Sequence, residues 1–99
     1  MENLGKKVIV RTSDAGVFFG TMAEKTGNEV TLNDCRRLWY WSGAASLSEL
    51  AVSGVTRPGD CKFCVTVPSI TVQGVIEIIP CTQKAIDNIN AVPVWKIGR

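Results

Sequence analysis

The chain has 99 residues, a formal net charge of +2, and an apolar share of 45% against 20% charged residues. That length accommodates one hydrophobic core and not two, the composition excludes an intrinsically disordered chain, and so small a charge is too weak to coat a long nucleic-acid backbone. There is no histidine, which removes the commonest general base, the Ser-His and Cys-His nucleophile pairs and every histidine-containing zinc site.

A single domain over residues 1–99 is therefore expected. The amino-terminal Met1-Glu2-Asn3-Leu4-Gly5-Lys6-Lys7 lacks the apolar stretch of a signal peptide, and no apolar run approaches the roughly 20 residues that span a bilayer. The expectation is a cytosolic protein with no membrane partner. In a reducing compartment the four cysteines are expected to be free thiols.

In chain order, Lys6 to Thr12 contains Val8-Ile9-Val10 and reads as a strand, followed by the turn residues Asp14-Ala15-Gly16 and a second β-rich run from Val17 to Met22. Thr26-Gly27-Asn28 marks the next turn. Val30 alternates with Leu32 in a third strand, which leads through Asn33-Asp34 into Cys35 to Trp41 as a fourth, and four strands in about forty residues predict a meander. Ser46-Leu47-Ser48-Glu49 matches a capping box at the start of a two-turn helix, with Leu47, Leu50 and Ala51 on one face and Gly54 as its stop. After the Arg57-Pro58-Gly59 loop, Phe63–Val67 and Ile70–Ile79 read as strands, with Gly74 as a bulge. Thr82 is a cap for a second helix over Lys84 to Ala91, and Val94 to Ile97 reads as a last short strand. These elements predict an α+β fold: a strongly bent antiparallel sheet or small barrel with two short helices.

No dinucleotide-binding or P-loop glycine pattern is present, and the carboxylates are scattered, so no catalytic residue and no cofactor is assigned. Cys61-Lys62-Phe63-Cys64 has the spacing of a zinc knuckle or thiol-redox pair, but no second close pair accompanies it, and no metal site is assigned.

The dense signal is Cys35-Arg36-Arg37-Leu38-Trp39-Tyr40-Trp41-Ser42-Gly43. In a regular strand Arg37, Trp39 and Trp41 face one side and Arg36, Leu38 and Tyr40 the other. Guanidinium forks fit phosphates, and aromatic rings stack nucleobases. Ser42, Gly43 and Ser46 lie where a turn meets a helix start, a place suited to an anion. The competing reading is structural, with the rings as core, the arginines lying over its edge and Ser46 as a plain cap. Arg11 reads either as a second phosphate ligand or as a solvated strand-end charge. Phe18 and Phe19 take opposite strand faces, so one is expected in the core and the other free to line a pocket.

The stretches Val10-Arg11-Thr12, Ala15 to Gly20, Arg36 to Leu47, Cys61-Lys62-Phe63, Val75 to Pro80 and Val94-Trp95-Lys96 resemble a family of small phage-encoded proteins, and through it the phage anti-CBASS sponges. The resemblance implies a homo-oligomer, dimeric or tetrameric, that sequesters a cyclic dinucleotide or related nucleotide signal in the host cytoplasm without cleaving it. It makes Arg36, Arg37, Trp39, Tyr40, Trp41, Ser42 and Gly43 the ligand contacts, with Arg11 and Phe19 second. Two alternatives stand beside it: a factor that binds a host protein through an aromatic patch, and an enzyme that degrades a nucleotide signal.

Overall fold

The computed structural model describes residues 3–97. Strands β1 (Lys7–Thr12), β2 (Val17–Thr26) and β3 (Glu29–Tyr40) are followed by helix α1 (Leu47–Ser53) and a single 3-10 turn at Pro58–Asp60. Strands β4 (Lys62–Phe63), β5 (Val67–Val72) and β6 (Val75–Pro80) then lead into helix α2 (Gln83–Ala91). The expected Val94–Ile97 strand is reduced to one bridge, between Val94 and Phe63. No helix among the described residues is long and apolar enough to cross a membrane.

All six strands form one antiparallel sheet in the order β4-β3-β2-β1-β6, with β5 paired to β3 beside β4. Val8, Ile9 and Val10 are all fully buried because β1 is central and covered on both faces. On one face Ile9, Phe19, Leu38 and Phe63 pack with Leu50 and Ala51 of α1 and Ala85 and Ile89 of α2. On the other, Val8, Val10, Phe18, Val30, Leu32 and Cys35 meet Val72 and Val75. That second cluster draws on β1, β2, β3, β5 and β6, so the sheet bends far enough to cover its own inner face.

The bend does not close into a barrel. β5 is antiparallel to β3 and β6 is antiparallel to β1. Because β1 and β3 both run opposite to β2, β5 and β6 run the same way. Only Gln73 and Gly74 separate them, whereas side-by-side parallel strands need a crossover of a dozen or more residues. They therefore run on end to end around a corner, where Gly74 has φ +71° and its carbonyl accepts from Ser13 N–H at 2.9 Å. What reads in the sequence as one bulged strand is this corner.

Both helix starts follow the side-chain chemistry. Ser46 Oγ accepts from Glu49 N–H at 3.1 Å, and Glu49 Oε1 reaches back to Ala45 N–H at 3.1 Å. Thr82 Oγ1 accepts from Ala85 N–H and donates to the Val52 carbonyl at 2.6 Å, joining α2 to the end of α1.

Candidate functional site

The Arg36–Trp41 segment is not a regular strand. Phe19 stands opposite Arg36 and Thr21 opposite Asn33, so β3 uses three residues where β2 uses two. The extra residue is absorbed around Asp34, whose φ is +49°. A second bulge follows, since Leu38 and Tyr40 pair with the consecutive residues Phe63 and Lys62. The first irregularity sets Cys35 and Arg37 on the inner face with Phe18, and Arg36 and Leu38 on the helix face. The second leaves both Trp39 and Tyr40 exposed and separates Trp39 from Trp41, contrary to the shared face predicted by simple alternation.

Arg36 is only 4% exposed, which removes it from the candidate ligand contacts. Its Nε donates to the Cys64 carbonyl at 3.0 Å, Nη1 to those of Ile89 and Val92 at 2.9 Å each, and Nη2 to Phe63 at 3.2 Å and Pro93 at 3.5 Å. Burial holds its pKa below the usual arginine value, with the nearby Cys64 thiol acting in the opposite sense. A cation is accepted here because the carbonyls at the end of α2 carry its negative dipole end, and that of Ile89 accepts from the guanidinium in addition to the Val92 N–H at 3.2 Å. The last turn of α2 has no basic residue of its own.

Phe19 leaves the candidate set for the same reason, being fully buried under the helices. Phe18, on the opposite face, is buried as well, but its ring contributes to the lining of the depressions beside Arg37, so of the two rings it is Phe18 and not Phe19 that lines a pocket. Trp41 is half-buried against the helix-side core. Ser42 and Gly43 are held by the loop they face: Ser42 N–H donates to Cys61 Sγ at 3.4 Å, and the Gly43 carbonyl accepts from Thr56 N–H at 3.3 Å. Gly43 has φ +94°, and a side chain there would collide with Thr56. Arg11 lies on the helix side of β1, directly opposite Glu77, with Nε 3.4 Å from its carboxylate. The structure does not bring Arg11 to Arg37.

Apart from Arg11, which is exposed but paired with Glu77, the candidates that remain exposed are Arg37, Trp39 and Tyr40. Trp39 is 64% and Tyr40 50% exposed. The Arg37 guanidinium lies 4.8 Å from the centroid of the Phe18 ring and has no ion-pair or hydrogen-bond partner among the described residues. It borders two depressions. One, of about 210 Å³, is walled by Phe18, Cys35, Cys64, Val65, Val67 and Ile70. The other, about 420 Å³ and more open, reaches Ser13, Asp14 and Thr71. An apolar trough with one unpaired guanidinium at its border can take a planar ring on its walls and an anion at the cation.

Residues 5–89 match the model of a family described as a domain of unknown function, DUF6948. The chain belongs to the DUF6948 family. No curated protein and no solved structure matches it. The match runs from before β1 into α2 and so includes the whole Arg37 trough of this DUF6948 domain.

The cysteines do not form the C-x-x-C centre that their spacing allows. Cys61 lies in the helix-side core, its Sγ 3.4 Å from the Arg57 carbonyl, whereas Cys64 lines the Arg37 trough on the other side. No group of three or more His, Cys, Asp or Glu side chains among the described residues is arranged to hold a metal ion. Burial pushes the Cys35 and Cys81 thiols up to about 11.

Two surface groups at the end of β3 were not singled out from the sequence. Lys62 pairs with Tyr40, and its ammonium lies 5.3 Å from the centroid of the Trp95 ring, which is 42% exposed. Lys62 was hidden inside the C-x-x-C spacing, and Trp95 read as part of a terminal strand.

Proposed function

We propose that this protein is a non-catalytic nucleotide-binding module that sequesters a cyclic dinucleotide or related nucleotide signal, as the phage anti-CBASS sponges it resembles do. The observation that carries the reading is Arg37, a guanidinium with no acidic partner among the described residues, set over an aromatic floor in an apolar trough beside two exposed rings. The guanidinium binds phosphate through its planar fork of donors, and Trp39 and Tyr40 offer faces on which bases stack, each stack worth about 1–3 kcal/mol. Sequestration needs affinity and no bond cleavage, so it asks for nothing beyond these contacts. β5 and β6 each have one strand neighbour in the sheet. Their outer edges are suited to pairing with a second copy of the chain, in keeping with a homo-oligomer in the host cytoplasm.

The test is calorimetric titration against a panel of cyclic di- and trinucleotides, followed by chromatography of ligand released by heating the complex. The expected result is saturable heat with at least one member and recovery of that nucleotide intact. Absence of heat and of any thermal shift across the panel contradicts binding, and recovery of cleaved nucleotide contradicts sequestration in favour of an enzyme.

A further inference from the structure

Beyond the trough, a second cation and aromatic pair lies at the outer edge of the sheet, Lys62 on β4 and Trp95 on the chain that follows α2. Lys62 and Cys64 flank the buried Phe63 of β4, so alternation turns both toward the side on which Cys64 and Arg37 line the trough. The Lys62 ammonium sits over the Trp95 ring, and Lys62 has no ion-pair partner among the described residues. Trp95 is fixed through its backbone, whose N–H donates to the Phe63 carbonyl at 2.9 Å. Its ring borders a cavity of about 240 Å³ walled by Pro58, Gly59, Cys61, Pro93 and Val94, with no carboxylate in the lining. Tyr40, half exposed, stands opposite Lys62 in the register. Arg37 is three positions before Tyr40 on β3, with the second bulge between them.

We infer that Lys62 and Trp95, with Tyr40, form a second subsite that takes the other nucleotide unit of a two-base ligand, its phosphate on Lys62 and its base on the Trp95 face. This rests on the nucleotide reading of the Arg37 trough. The chemistry is that of the first subsite repeated: an unpaired cation beside a flat ring. A ligand with two phosphates and two bases engages both, whereas a mononucleotide is held at the Arg37 site alone, and the tether between the two units makes the second contact intramolecular.

The test uses calorimetry on the full chain with the tightest cyclic dinucleotide of the panel and with the corresponding nucleoside monophosphate, for the wild type, Lys62→Ala and Trp95→Phe. Thermal unfolding of each variant serves as the control for fold. The expected result is a loss of affinity for the cyclic dinucleotide of tenfold or more in Lys62→Ala, a smaller loss in Trp95→Phe, and monophosphate affinity unchanged in both. The cyclic dinucleotide should change tryptophan fluorescence more in the wild type than in Trp95→Phe, whereas the monophosphate should change it equally in the two. Equal losses for both ligands, or none for either, overturn the second subsite while leaving the Arg37 site standing. A wild-type protein that binds no nucleotide overturns both.

Discussion

Arg36 and Arg37 are adjacent in the chain and opposite in role. Arg36 is solvated by carbonyls from β4 and the end of α2, while Arg37 lies over Phe18 with its fork of donors open to solvent. Replacing Arg36 with Met takes its donors from the Cys64 and Val92 carbonyls, while those of Phe63 and Ile89 keep the Trp95 and Val92 N–H groups, so Arg36→Met is expected to lower unfolding free energy by roughly 3 kcal/mol. Urea denaturation measures this, and a loss under 1 kcal/mol would show that the network adds little. The buried Cys35 thiol gives a second residue-scale expectation. Its folded pKa of about 11 lies above the reference 9.0, so the unfolded chain loses its proton first. The stabilisation is complete below about pH 9 and is lost as pH rises through about 11, with a slope of up to about 1.4 kcal/mol per pH unit. Cys81, half-buried, acts in the same direction. Urea midpoints across pH 8 to 11 should fall for the wild type and fall less steeply for Cys35→Ala.

At the scale of elements, both helices were legible because their starts are written in side chains: Ser46 with Glu49, and Thr82. The first three strands were legible from alternation and turn residues, but the expected break at Asn33-Asp34 into a fourth strand is not there, because β3 runs unbroken from Glu29 to Tyr40. The two bulges of β3 were not legible, because Asp34 is an ordinary turn-compatible residue and nothing local shows that the pairing skips there. That slip decides which side each residue of the aromatic motif faces, so the candidate contacts could be read as a set but not sorted. The contact between α1 and α2 has its own polar clamp. Asn88 Oδ1 accepts from Val55 N–H at 2.7 Å, and its Nδ2 donates to the Val55 carbonyl at 2.9 Å. Asn88→Ala strands both backbone groups, and a cost of about 2 kcal/mol is expected. Hydrogen exchange should show faster exchange at Val55 and through α1, with β1 and β2 unaffected. Unchanged protection in α1 would contradict the clamp.

At the scale of the whole molecule, the covering of both sheet faces ties fold to site. The helices bury one face and the bend of the sheet buries much of the other, so the open ground left on the inner side is the trough around Arg37 and the exposed end of β3 beyond it. Barrel closure is prevented by a two-residue link between parallel strands, a consequence of topology that no single residue announces. The most direct test of the account compares Arg37→Ala with the wild type by calorimetry against the tightest cyclic dinucleotide, with urea denaturation of both proteins. The expected result is at least a tenfold loss of affinity with unfolding free energy changed by less than about 1 kcal/mol, the scale of an exposed cation–π contact. Undiminished affinity in a folded Arg37→Ala protein would contradict the claim that Arg37 anchors the ligand.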